Sequence, residues 1–184
     1  MMGRLAARAV IGGLFIGHGT QKLLGWFDGP GPEGTEQMMG KIGMHPAGQN
    51  ARAAGLTETI GGALLAAGLA TPLAAASLIG VMITAIRKVH LGNGPWVTKG
   101  GYEYNLVLIA ALLGLVESGP GTLSLDRALG IDQDGPGWAL AALGAGALAS
   151  AATVEMANRR APAAEEEGAR RPMGADQEPA ATVS

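Results

Sequence analysis

Ionisable side chains are rare in the apolar parts of this 184-residue chain, and those that do occur could carry chemistry. Glu58 lies inside a long apolar stretch, where a carboxylate can exchange protons or pair with a cation. His18 and Lys22 are four residues apart, which places them on one face of a helix. Arg87 and His90 follow the same rule at a spacing of three. The candidate site residues are His18, Lys22, Glu58, Arg87, His90 and Glu103.

The composition also excludes several kinds of chemistry. The chain has no cysteine, so it has no disulfide, no thiolate metal site and no cysteine nucleophile. It lacks GxGxxG, P-loop and HExxH motifs, and its histidines have no matched ligand set, so we expect no metal site. A net charge of −2 offers no basic surface to nucleic acid. No catalytic residue is therefore assigned, and a redox role would need a bound cofactor or a partner protein.

Five apolar stretches must position these side chains. Each approaches the roughly 20 residues that a helix needs to cross a bilayer, and most lack the polar face that a soluble amphipathic helix would have. They are approximately Leu5–Phe27, Ala51–Ala70, Leu73–Val89, Tyr102–Val116 and Gly137–Ala157. We therefore predict an all-α, polytopic membrane protein. It comprises a four-helix transmembrane bundle at 1–130, a fifth Ala/Gly-rich transmembrane helix at 131–157 and a disordered charged tail at 158–184.

Small residues suit close packing between such helices. Glycine occupies 31 positions and alanine 34. Because lipid provides little hydrophobic drive between helices, small residues that let backbones approach stabilise a bundle. The predicted contact steps are Gly13–Gly17, Gly62–Ala66 and Ala142–Gly146–Ser150.

The polar residues are predicted to converge at one end of the bundle. In an up-and-down bundle, the end of span one, the start of span two, the end of span three and the start of span four share one side. The candidate residues obey this rule, and no comparable group is expected at the opposite end. We predict a polar pocket in which Glu58 pairs with Lys22 or Arg87. As alternatives, Lys22, Arg87 and Lys88 would snorkel to the interface, and Glu103 would favour a helix start.

The segment between the first two spans has its own pattern. Residues from about Glu33 to Met44 predict a short amphipathic helix on the membrane surface, with Met38, Met39, Ile42 and Met44 as its apolar residues.

The order and spacing of many short motifs resemble the DoxX family over Arg4–Gly130. The matching pieces are Arg8, Gly12, Gly17-His18-Gly19, Lys22, Gly25, Gly55, Glu58, Gly61-Gly62, Leu64-Leu65, Gly68-Leu69-Ala70-Thr71, Met82, Ala85, His90, Gly101, Glu103, Gly121, Ser124-Leu125-Asp126 and Leu129-Gly130. This resemblance implies a four-helix integral membrane protein of the bacterial cytoplasmic membrane. Some members are linked to quinone-dependent sulfur oxidation and others to membrane complexes that counter oxidative stress. The family's shared polar positions correspond to His18, Lys22, Glu58, His90 and Glu103.

Three functions stay open at this level. The first is a quinone- or redox-associated membrane subunit, in which the polar pocket takes the quinone head group. The second is a transporter or channel-like protein for a proton or small solute, and the third is a scaffold that recruits soluble redox enzymes. The expected partners are the lipid bilayer and soluble or membrane redox proteins. Orientation in the membrane and homo-oligomerisation stay open, because orientation depends on whether 137–157 spans.

Overall fold

The chain folds entirely into helices over the part that the structure describes. The computed structural model describes residues 2–161, in which no strand occurs. The α-helices are α1 Met2–Leu24, α2 Gly31–Lys41, α3 Ala47–Ala67, α4 Thr71–Ala85, α5 Glu103–Ser118, α6 Leu125–Leu129 and α7 Pro136–Arg159. The prediction of an all-α protein is confirmed. Of the predicted disordered tail, Asn158 and Arg159 belong to α7, and residues 162–184 lie outside the described residues.

Each of the five predicted apolar stretches is a long helix, in α1, α3, α4, α5 and α7. The α4 helix continues through a π-helical turn at Ile86–His90 and a 3₁₀ turn to Asn93. Two segments, Thr71–Asn93 and Pro136–Arg159, are long and apolar enough to cross a membrane by length and composition. The other three are more polar or shorter, so a bundle of four or five transmembrane helices stays a prediction.

The helices associate in two close pairs, α1 with α3 and α4 with α7, while α5 packs against α4 and α7. Glycine allows the first pair to approach. A Cβ placed on Gly12 would lie 2.5 Å from the carbonyl oxygen of Gly62, a distance that no real Cβ contact shows. In contrast, a Cβ on Gly13 or Gly17 would meet nothing within 4 Å. The prediction that Gly13 and Gly17 form a helix–helix contact is therefore wrong for the described residues 2–161. Both glycines lie on a face of α1 that is turned away from α3.

The second pair shows that α7 belongs to the bundle. A Cβ on Gly146 of α7 would lie 2.8 Å from the carbonyl oxygen of Ala76 in α4. Ala142, Gly146 and Ser150 are all buried, so the predicted small-residue step on this helix is confirmed as a packing surface. The main core lies between these pairs and includes the fully buried Leu78. On the outside, large apolar side chains such as Leu140 of α7 are exposed, at 69%.

A second polar cluster occupies the end of the bundle opposite the candidate site, where the sequence predicted none. Asp126 of α6 is 1% exposed and accepts hydrogen bonds from the backbone N–H groups of Ala70 and Thr71 and from the Thr71 hydroxyl. Arg8 of α1 is 1% exposed and donates to the carbonyl of Leu123 at 2.6 Å. The expectation failed because Asp126 comes from the α5–α7 connection, which folds back over the α3–α4 turn.

Candidate functional site

A cavity of about 700 Å³ lies at the end of the bundle where the candidate residues were expected to meet. All five long helices contribute to its wall, together with α2 and the loop that follows α2. Four of the six candidate residues line it, namely His18, Lys22, Glu58 and His90. Most of the remaining wall is apolar, so the cavity combines a hydrophobic volume with a few localised polar groups.

The strongest polar feature of the cavity is an ion pair between Lys22 and Glu58. Lys22 Nζ lies 2.5 Å from Glu58 Oε2, and the two side chains are 19% and 4% exposed. The pair joins α1 to α3 beside a close approach of the two backbones, since a Cβ on Gly19 would lie 2.7 Å from the Gly55 carbonyl oxygen. Of the two partners that the sequence allowed for Glu58, the structure selects Lys22. The pair thus provides a localised polar group in an otherwise apolar wall, where it can contact the polar head group of a ligand.

The two histidines lie on different helices of the cavity wall and are held by separate contacts. His18 is exposed, and its Nδ1 lies 3.2 Å from Oε1 of Gln21. His90 is half-buried at the end of the π-helical turn, with Nδ1 2.7 Å from the carbonyl oxygen of Gly100. Because that carbonyl can only accept, Nδ1 of His90 carries a proton in this contact. No group of three or more His, Asp or Glu side chains placed to hold a metal occurs in the described part of the chain.

Arg87 and Glu103 do not line the cavity. Arg87 is exposed and directs its guanidinium toward α7, with Nη1 3.5 Å from Ser150 Oγ. The expectation that Arg87 and His90 share a face assumed α-helical spacing, which does not apply in a π-helical turn. Glu103 stands at the start of α5, where Oε1 accepts a 2.7 Å hydrogen bond from the backbone N–H of Val97. This hydrogen bond stabilises the loop that precedes α5. The position of Glu103 at the first residue of α5 agrees with the alternative that its carboxylate favours a helix start.

The α2 segment contributes methionines to the cavity. Met38 and Met39 of α2 and Met44 of the following loop line it. The predicted amphipathic helix is present at Gly31–Lys41, and Met39 on its apolar side faces the protein while Met38 is partly exposed; its place on the membrane surface stays a prediction. Met39 and Met44 are 8% and 2% exposed and pack in a cluster with residues of α3 and α7. In the sequence, the spacing of these methionines was the pattern that predicted an apolar side for this segment.

Sequence reasoning missed the contributions of α5 and α7 to the wall. Ser150 and Thr153 of α7 and Asn105 of α5 line the cavity, and Ser150 Oγ accepts a 2.9 Å hydrogen bond from the hydroxyl of Thr84 in α4. Ser150 belongs to the predicted small-residue step Ala142–Gly146–Ser150. Its hydroxyl, a polar group in an apolar helix, was the feature of the sequence that could have indicated a place in the cavity wall. Lys88 also lines the cavity, although Arg87 was the neighbour selected from the sequence.

Comparison with known proteins identifies the family of this chain. The family model DoxX matches residues 3–91, which contain α1 to α4 and therefore every candidate residue on the cavity wall. The "Uncharacterized membrane protein Rv3486" of Mycobacterium tuberculosis is 30% identical over 135 residues, with 68% of this chain and 80% of that protein covered. No solved structure matches significantly. The chain therefore belongs to the DoxX family and is a membrane protein.

Proposed function

We propose that the chain crosses the bacterial cytoplasmic membrane several times, with α1, α3, α4, α5 and α7 as the spanning helices. At 1.5 Å per residue, the 23 residues of α1 extend about 34 Å, which exceeds the roughly 30 Å hydrocarbon thickness of a bilayer. The exposed large apolar residues on the outer faces of these helices, such as Val10 and Ile60, would contact lipid. The shorter α5 would require local thinning of the bilayer at its ends.

We propose further that the cavity binds a quinone and that the protein is a redox-associated membrane subunit. The observation that carries this proposal is an apolar cavity of about 700 Å³ with one buried ion pair in its wall. Ligand sites of this size combine apolar walls with a small number of polar groups that fix orientation. A quinone has the matching pattern, since two carbonyl oxygens lie on a ring whose tail is apolar.

The residues of the chain would then have distinct tasks. The Lys22 ammonium is a hydrogen-bond donor suited to a ring carbonyl, and Glu58 holds that ammonium in place. With Nδ1 of His90 engaged by Gly100, Nε2 is the ring nitrogen that would take up or release a proton near the cavity. A bound quinone supplies electron and proton transfer. Electrons would come from a partner protein, because the chain has no cysteine and no recognisable flavin or haem motif.

The test is a binding experiment on the full chain. Purified protein in neutral nanodiscs is titrated with a short-tailed quinone, and co-purified lipid is extracted and analysed for quinone. Wild type should bind the quinone, and Glu58→Gln should weaken binding at least tenfold because the Lys22 ammonium loses its anchor. Glu103→Gln is the matched control and should bind as wild type does. No bound quinone in the extract and no titratable binding would refute the proposal.

A second candidate, a transporter for protons or a small solute, rests on the buried ion pair itself. Ionisable groups inside helical membrane proteins often mark ion pathways. Proteoliposomes with wild type should then support a proton flux that Glu58→Gln abolishes. Equal background flux in both would exclude this function. The scaffold function depends mainly on residues 158–184, most of which lie outside the described range.

A further inference from the structure

The cavity wall carries more positive than negative charge. The α1 helix contributes His18 and Lys22, α3 contributes Glu58, and the π-helical turn contributes Lys88 and His90. No lining residue from α2, α5 or α7 is charged. Because Lys22 and Glu58 neutralise one another across 2.5 Å, the Lys88 ammonium stands as the uncompensated charge of the wall.

Lys88 lines the cavity where the end of α4 faces the loop after α2. Its side chain is half-buried, and a Cβ placed on Gly43 would lie 3.6 Å from its Nζ, so the ammonium reaches from the end of α4 to the loop after α2. Within residues 2–161, Lys88 forms no hydrogen bond and no ion pair. A cation in such a position, beside an apolar volume, is complementary to a single negative charge.

We infer that the cavity also accepts a single-chain amphiphile with one acidic head group, a carboxylate or a phosphate monoester, which places its charge at Lys88 and its hydrocarbon chain in the cavity. The inference rests on the proposed function only in requiring that the cavity admits a lipid-soluble ligand. Such a ligand would compete with a quinone for the same volume.

The dimensions and chemistry of the wall suit this class of ligand. A volume of about 700 Å³ falls within the range of sites that enclose small ligands. Met38, Met39 and Met44 give one side of the wall adaptable, polarizable side chains that can follow a flexible chain. The wall therefore offers a cation at Lys88 and apolar side chains elsewhere, so the two ends of an amphiphile would meet different surroundings.

The experiment compares an acid with its uncharged counterpart. Purified full-length protein in phosphatidylcholine nanodiscs is titrated with cis-parinaric acid and with the corresponding alcohol, whose fluorescence reports entry into an apolar site. Wild type should bind the acid at least tenfold more tightly than the alcohol, as expected for a charge-assisted hydrogen bond. Lys88→Gln should abolish this preference while keeping the alcohol affinity. Lys99→Gln, which changes an exposed lysine outside the cavity wall, should keep it.

Competition identifies the source of the anion. Hexadecyl phosphate should displace the acid, whereas inorganic phosphate should not, because the apolar chain supplies part of the affinity. Equal affinities for acid and alcohol in wild type, or a preference that survives in Lys88→Gln, would overturn the inference. If the alcohol binds and is displaced by a quinone while the acid has no advantage, the inference fails and the quinone site stands. If neither probe nor quinone binds, both proposals fail.

Discussion

The ion pair between Lys22 and Glu58 predicts an unequal response to removal of its two members. The Glu58 side chain is 4% exposed, so its carboxylate has little access to water once Lys22 is gone. Removing one member of a buried pair costs about 3–5 kcal/mol, because the remaining charge is uncompensated. We therefore expect Lys22→Met to destabilise the fold by about 3 kcal/mol or more.

Glu58→Met should cost less. The Lys22 side chain is 19% exposed, and its Nζ also lies 3.4 Å from the carbonyl oxygen of His18. The ammonium can therefore keep one hydrogen bond and extend into the cavity that Lys22 lines. We expect a loss of about 1–3 kcal/mol, the range for leaving a polar group incompletely satisfied. The double variant should be more stable than Lys22→Met alone, since two methionines bury no charge.

The assay is unfolding of purified protein by increasing SDS in a mild detergent, followed by far-ultraviolet circular dichroism. Four proteins form a double-mutant cycle, and the coupling free energy should be at least about 1 kcal/mol. The reasoning would be refuted if the loss in the double variant equalled the sum of the two single losses. Greater stability of Lys22→Met than of Glu58→Met would refute the argument from burial.

Three further changes test the packing and the wall. Gly12→Leu should destabilise the fold by about 2 kcal/mol or more through overpacking against α3, whereas Gly13→Leu should be nearly neutral; SDS unfolding compares them. Asp126→Ala should lower the free energy of unfolding by about 3 kcal/mol, because Arg8 loses a nearby opposite charge and two backbone N–H groups lose their acceptor. Limited proteolysis should then cleave the α5–α7 connection faster than in wild type. Ser150→Leu should narrow the cavity and lower the quinone affinity in the nanodisc titration. The control variant Glu103→Gln should bind the quinone with the wild-type affinity.

The positions of the helices and of the main polar pair could be predicted from the sequence. Long apolar runs produce helices regardless of the details of packing, so all five runs are helical. The up-and-down order of those helices then brings Lys22 near Glu58 without knowledge of any contact. These features depend on local composition and on chain connectivity, which a sequence displays directly.

Features that depend on the exact rotation of a helix could not be predicted. Gly12 and Gly13 are adjacent, but successive helical residues point about 100° apart, so one meets α3 and the other does not. Arg87 and Lys88 differ in the same way, and the π-helical turn alters the spacing on which their assignment relied. Asp126 reaches Thr71 across 55 residues of chain, a contact that no local pattern encodes.

The pairing of α4 with α7 has a consequence for how relatives can diverge. The family match covers residues 3–91, so the helix that completes the cavity through Ser150 and Thr153 is encoded outside that shared segment. Substitutions on α7 can therefore reshape one side of the cavity without touching Lys22 or Glu58. For a cavity that binds a ligand as proposed, the side contributed by α7 can therefore vary independently of the segment that the family match covers.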